Sequence, residues 1–238
     1  MKKQFKAVLI ILSSVLVLFL GSALVYYLPM IFMPRVKSGP IQGTDIFTLK
    51  DMVGVYLIKT NNGYIMIDAG LNRKNIENSL NEANIDKNEV KAIFLTHSDG
   101  DHVAGLGLFP NSSIYISNEE LPLINGTVKR SFLGYNKLPD GIDFGRIISL
   151  MNGQELLIDG KTIKCIFAPG HTIGSMIYLV DNHFLFTGDA IKLKNGNIDI
   201  HPYTMDKELS KRTIKELGDI INNCTIVVTA HYGVHYNN

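Results

Sequence analysis

The segment Ala92-Ile93-Phe94-Leu95-Thr96-His97-Ser98-Asp99-Gly100-Asp101-His102 constrains this chain more than any other feature. A short apolar run, the pattern of a buried strand, ends in a loop that crowds two imidazoles and two carboxylates into six residues. Such groups seldom leave water without partners, and four groups merely solvated on a surface need no special spacing. A bound cation removes the difficulty, because imidazole nitrogen and carboxylate oxygen suit zinc, iron or manganese. The fold must therefore present this strand end where further ligands converge.

The remaining soluble sequence supplies candidates at the ends of other strand-like runs. His171 lies in Ala168-Pro169-Gly170-His171-Thr172-Ile173-Gly174-Ser175, Asp189 in Phe186-Thr187-Gly188-Asp189, and His231 in Val227-Val228-Thr229-Ala230-His231-Tyr232-Gly233. Each alone reads as a turn residue. Together with the loop they make four His and three Asp, enough for two adjacent three-ligand sites sharing one acid.

Strand and helix signals alternate around them. Residues 52–67 read as a hairpin turning at Asn61-Asn62-Gly63, Leu156 to Ala168 as a second turning at Asp159-Gly160, and Ser175 to Ala190 as a third turning near Asn182. Lys91 to Thr96, Ser113 to Ser117 and Thr225 to Thr229 read as single strands. Asn72 to Ala83 has helical spacing, and Asp206 can cap a helix carrying Leu209, Leu217, Ile220 and Ile221 on one face. The stretch from Glu119 to Asn152 predicts irregular loops with short helices. A weak repeat links Val55-Tyr56-Leu57-Ile58 through Asp68-Ala69 to Ile177-Tyr178-Leu179-Val180 through Asp189-Ala190. Two hairpins, each ending in Asp-Ala, suggest a pseudo-symmetric α/β protein with its site between the halves.

The metal loop, the Pro-Gly-His-Thr-x-Gly-Ser element, the Thr-Gly-Asp element and the late His occur in the order of the metallo-β-lactamase superfamily. The resemblance spans roughly Gly43 to Gly233. It implies a four-layer αββα sandwich with two divalent metal ions, zinc first, acting as a hydrolase on a small molecule. By the same resemblance His97 and His171 look like ligands of the first ion. Asp101, His102 and His231 look like ligands of the second, with Asp189 bridging both. Asp68 matches a position that orients the metal loop. Asp101 would position the attacking water or take its proton. The bond cleaved would be an ester, lactone, thioester, amide or phosphoester. One position departs: the family's loop usually reads His-x-His-x-Asp-His, and Asp99 stands where the second His would be. Asp99 as a ligand makes a harder site and admits manganese or iron beside zinc. Similar acids occur in the family's di-iron flavoproteins and in the hydrolase domains of DNA-uptake channels, which keeps a di-iron redox protein and a phosphodiesterase or nuclease as alternatives. His201 can face the cleft, His183 reads as solvated at a hairpin turn, and Lys192 and Lys194 can attract an anion.

Location is read from the N-terminus. Lys2, Lys3 and Lys6 precede an uncharged run from Ala7 to Pro34. A hydrocarbon core of about 30 Å needs roughly 20 apolar helical residues, so residues 1–34 predict a single transmembrane anchor. Its lysines would stay in the cytoplasm and the rest of the chain outside, with Tyr26 and Tyr27 at the interface. A cleaved signal peptide with Gly21-Ser22-Ala23 at its cleavage site, and hence secretion, is the alternative. Residues 35–43 read as a linker and 44–238 as the hydrolase domain. Of 238 residues, those after the first 34 hold 20 basic against 22 acidic side chains, which offers no clear nucleic-acid surface. Cys165 and Cys224 lack zinc-knuckle spacing and read as two small buried residues, although an extracytoplasmic domain would permit a disulfide.

Overall fold

The computed structural model describes residues 2–31, 36–131, 134, 136–194 and 197–237. The chain divides into two units, Met1–Pro34 and Arg35–Asn238. The first is one helix, α1 (Lys2–Ile31), with Ile10, Leu16, Phe19 and Val25 largely exposed. Among the described residues no helix is long and apolar enough to cross a membrane, so the expected transmembrane span is not supported. The apolar run read from the sequence draws on Ala7 to Leu9 at one end. At the other it draws on Tyr26, Tyr27 and the residues from Pro29 on. The side chains of both stretches lie outside those described.

The second unit is built on two sheets. The first holds β1 (Gly39–Pro40), β2 (Ile46–Leu49), β3 (Val55–Lys59), β4 (Tyr64–Ile67), β5 (Val90–Phe94), β6 (Ser113–Ser117) and β7 (Ile147–Leu150), in chain order. Strands β1 to β4 pair antiparallel, and β4 to β7 run parallel. The second sheet has β8 (Glu155–Ile158), β9 (Lys161–Phe167), β10 (Met176–Val180) and β11 (Phe184–Gly188). After a separate hairpin of β12 (Lys192–Lys194) and β13 (Asn197–Asp199), β14 (Ile226–Thr229) and β15 (Gly233–Tyr236) complete it in the order β15-β14-β11-β10-β9-β8.

The central strands are buried on both faces, and their alternation sorts side chains into three cores, one between the sheets and one outside each. Tyr56, Ile58, Ile65, Ile67 and Phe94 of the first sheet meet Cys165, Met176, Tyr178, Phe186 and Val228 of the second. The opposite face of the first sheet, with Leu57, Met66 and Ile93, is covered by Ile76 and Leu80 of α2 (Arg73–Glu82) and by Leu106. Two short helices, α3 (Gly100–Val103) and α4 (Leu121–Ile124), sit in the loops after β5 and β6. The outer face of the second sheet, with Ile177, Leu185 and Val227, is covered by Leu217 and Ile221 around α5 (Lys207–Glu216) and α6 (Gly218–Asn223). Helix, sheet, sheet, helix is the four-layer sandwich expected.

The local signals explain the elements. Asn72 caps α2 by accepting from the Lys74 and Asn75 amides, and Asp206 caps α5 by accepting from the Leu209 amide. Asp159 and Gly160, like Asp181 and Asn182, have positive φ at both turn centres, as tight hairpins with right-handed strand twist require. Cys165 and Cys224 are free and buried. Three local readings change. The single helix expected after Asp206 breaks at Leu217-Gly218 into two. Strand β7 lies inside the stretch read as irregular, and β15 follows the last predicted strand. Both added strands are edges: only Leu150 of β7 is fully buried and none of β15 is, so neither carries a strong apolar pattern.

Candidate metal centre

Strands β4, β5, β9, β11 and β14 end on one side of the sandwich, and from these ends come Asp68, the loop His97 to His102, His171, Asp189 and His231. The two sheets are pinned together beneath them. The Tyr178 hydroxyl donates to the Leu95 carbonyl (2.6 Å), and the Met176 amide donates to the Thr96 carbonyl (2.9 Å). Gly188, at φ +53°, lies so close to Thr96 that a Cβ would collide with its side chain, which brings the Asp189 strand hard against the metal loop.

Asp68 is the buried anchor. One carboxylate oxygen accepts from the Thr96 amide (2.8 Å), and the other accepts from the Thr96 hydroxyl (2.8 Å) and from His102 Nδ1 (2.9 Å). Because the Thr96 hydroxyl gives its proton to Asp68, His97 Nδ1, 3.0 Å away, is the donor to that oxygen. Both rings therefore turn Nε2 inward, and neither Nε2 has a hydrogen-bond partner although both are buried. Asp68 holds this position with φ 57°, a left-handed conformation costly for a residue with a side chain.

Asp189 lies at the centre. One of its carboxylate oxygens stands 3.4 Å from His231 Nε2, 3.6 Å from His102 Nε2, 3.6 Å from His171 Nε2, 3.8 Å from His201 Nε2 and 3.9 Å from His97 Nε2. Burial opposes its ionisation, yet His201, His231 and His102 hold its carboxyl well below the usual carboxylate range. Against burial, Asp189 and Asp101 lift His231 to about 9, and Asp68, Asp101 and Asp189 raise His102 well above an ordinary histidine. Burial pushes His201 down to about 3, Asp189 only partly offsetting it.

The donors fall into groups that fit a divalent ion: His97, Asp99 and His171; Asp101, His102 and His231; His97, His102 and Asp189; His171, Asp189 and His201. Within each group the ligand atoms lie within 4.8 Å of one another. Several buried imidazoles aimed at one carboxylate, with ring nitrogens that no protein group satisfies, repel one another unless cations stand between them. All seven residues expected from the sequence thus come together, with Asp68 behind them.

Three participants were not read as part of the site. His201, noted only as able to face the cleft, is in it, buried with both ring nitrogens unpartnered. Glu120 is fully buried and ties two loops together. It accepts from the Ser98 amide (2.8 Å) and hydroxyl (2.6 Å), the Thr172 hydroxyl (2.7 Å) and the Gly174 amide (3.0 Å). Arg130 makes a two-pronged pair with Asp99, 2.7 Å on each side. Against burial, His97 and hydrogen bonds from His171, His97 and Arg130 hold the Asp99 carboxyl well below its usual range. Both Glu120 and Arg130 lie in the segment whose sequence carries no periodic signal, so only their chemical types could have drawn notice. Elsewhere, His183 is exposed, Lys192 pairs with Asp199 (3.6 Å), and the Lys194 side chain lies outside the described residues.

The chain is 27% identical over 169 residues to a "Probable metallo-hydrolase" of Methanocaldococcus jannaschii, covering 68% of this chain and 69% of that one. It is 32% identical over 130 residues to a "Probable polyketide biosynthesis zinc-dependent hydrolase" of Bacillus velezensis, covering 53% of this chain and 49% of the relative, so it spans about half that protein's length. Among solved structures, a Cronobacter sakazakii metallo-β-lactamase with a "HARLDQ motif" superposes with a TM-score of 0.64 at 20% identity, covering 84% of this chain and 80% of that one. That likeness shows the shared fold. Residues 50–222 match the sequence model described as "Metallo-beta-lactamase superfamily", and the chain belongs to that superfamily.

Proposed function

We propose that this metallohydrolase uses two divalent ions, zinc first, to cleave an ester, thioester, lactone, amide or phosphoester of a small molecule. One observation carries the reading: five imidazole nitrogens surround a single buried Asp189 oxygen within 3.9 Å. The zinc-dependent relative of Bacillus velezensis supports zinc as the ion. His97 and His171 would hold the first ion, Asp101, His102 and His231 the second, and Asp189 both. A divalent ion bound in such a centre lowers the pKa of water toward about 7 and polarises the substrate oxygen.

The chain's own residues do the rest. The Asp101 and Asp99 side chains are 25% and 19% exposed while the histidines are at most 3%, so substrate approaches from the side of these two acids. Asp101, 3.6 Å from His231 Nε2, would orient the attacking water and accept its proton. Asp68 and Thr96 fix the ring planes of His102 and His97, and Glu120 holds the His97 loop against the His171 loop, so ligand positions are set before anything binds. No Ser or Cys nucleophile is required. Metal analysis of protein purified without chelators, followed by lactone, thioester, phosphodiester and β-lactam reporters, tests this. Bound zinc with hydrolysis of at least one reporter that stops after chelation is expected; protein that binds no metal and cleaves none rejects the reading.

The place of action is part of the same proposal. Three lysines ahead of an uncharged run, and the exposed apolar side chains of α1, support attachment to a membrane surface with the hydrolase unit outside the cytoplasm, or secretion after cleavage near Ala23. Fractionation with protease protection of intact cells tests it, and a protease-resistant cytosolic pool would count against both.

A further inference from the structure

Asp99 and His201 have exchanged circumstances. Asp99 was the expected ligand, and its Oδ2 does lie 3.1 Å from His171 Nε2 and 3.4 Å from His97 Nε2, yet its carboxylate is claimed by the protein: Arg130 Nε and Nη2 each donate at 2.7 Å, and Asn136 Nδ2 donates at 2.9 Å. It stands at the N-cap position of α3 but makes no side-chain cap bond, because its oxygens point to the guanidinium instead. A planar, bidentate arginine pair is among the firmest interactions a carboxylate makes, and it neutralises the charge that would attract a cation. His201 is the reverse. It is 98% buried, its two ring nitrogens have no hydrogen-bond partner, and its Nε2 lies 3.8 Å from the central Asp189 oxygen. A neutral imidazole buried with neither nitrogen satisfied is costly unless something supplies the missing partner.

The loop that carries His201 is built to hold it there. The His201 carbonyl accepts from the Thr204 hydroxyl (2.7 Å). The Met205 amide donates to the His171 carbonyl (3.1 Å), and the Asp206 amide to the Gly170 carbonyl (3.0 Å). The same loop offers the Tyr203 carbonyl to Arg130 Nη2 (2.9 Å), so one segment both fixes His201 and seats the arginine that occupies Asp99. His171 Nε2 and His201 Nε2 flank the same Asp189 oxygen at 3.6 and 3.8 Å.

We propose that His201, rather than Asp99, completes the first ion site together with His171 and Asp189, while Arg130 keeps Asp99 out of the coordination sphere. His97, its Nε2 3.9 Å from the shared Asp189 oxygen, remains a ligand of the same ion. The proposal rests on the two-ion reading above. It turns the departure at Asp99 from a weakened site into a rebuilt one. The chain trades a family ligand for a histidine thirty positions before His231, and Arg130 compensates the carboxylate left behind.

Zinc content per folded chain tests it in the full-length protein. Wild type should hold two ions, His201→Ala one, and Asp99→Asn two. Loss of an ion in Asp99→Asn, or two ions retained in His201→Ala, overturns the proposal. A wild-type chain holding one ion overturns it and the second ion of that reading but leaves metal-dependent hydrolysis standing, whereas a chain holding none sinks the hydrolase reading itself. Should His201→Ala fail to fold, cobalt-loaded wild type decides: hyperfine-shifted ring signals from five histidines support the proposal, and signals from only His97, His102, His171 and His231 overturn it.

Discussion

Asp68 and Asp189 end matching hairpins. The β3–β4 pair and the β10–β11 pair are each followed by a parallel neighbour, β5 and β14, and each second strand delivers a buried aspartate to the same side of the sandwich. The two acids nevertheless do opposite work. Asp68 faces donors that the protein supplies, the Thr96 amide and hydroxyl and His102 Nδ1, and its charge is consumed in holding them. Asp189 instead faces five imidazole Nε2 atoms, those of His97, His102 and His201 with no hydrogen-bond partner, so its charge is left for a cation. The difference teaches that position at a strand end does not make a carboxylate a ligand. What decides is whether the groups in front of it bring their own protons.

The comparison breaks first at Asp189. Asp189→Asn keeps the shape but removes the charge shared by both ions, and hydrolysis of any responsive reporter should fall by about 10³-fold or more, several kcal/mol of lost stabilisation. Steady-state rates at saturating zinc check this, and undiminished turnover would show Asp189 to be a second Asp68. A smaller effect is expected at Asp68 itself. Asp68→Asn leaves the ligands in place but loosens the His102 and His97 rings, so zinc affinity measured by chelator competition should drop about 10- to 100-fold. A complete loss of zinc would place Asp68 among the ligands and erase the distinction. Glu120 sharpens it further, as an acid that like Asp68 is satisfied only by protein donors but touches no ligand ring. Glu120→Gln should cost about 2 kcal/mol of stability, read as a melting temperature lowered by roughly 4–8 °C, with both ions retained. Loss of an ion there would mean that the loops it ties together cannot hold their histidines without the charge.

Much of the fold was legible because its central strands and turns are governed locally. Buried runs such as Val90–Phe94, hairpin turns at Asp159-Gly160 and Asp181-Asn182, and caps at Asn72 and Asp206 each follow from side-chain size, allowed φ or a single hydrogen bond. The edge strands β7 and β15 were not legible, because a strand with one pairing neighbour and a half-wet face needs little apolar pattern. In the site, His97, Asp101, His102, His171, Asp189 and His231 announced themselves by type and by standing at strand ends.

His201, Arg130 and Glu120 did not, and the reason is physical. A histidine before a proline, an arginine in an aperiodic loop and one glutamate of an adjacent pair carry no local mark of burial. Each acquires its role from partners 12 to 73 positions away, Asp189 for His201, the Tyr203 carbonyl for Arg130, Thr172 for Glu120. Sequence alone determined which chemistry this chain can perform, because residue types and strand-end loops set the donors available. Only the tertiary structure decided which of those donors remain free to bind, since that depends on which charges and protons the packing brings in front of them.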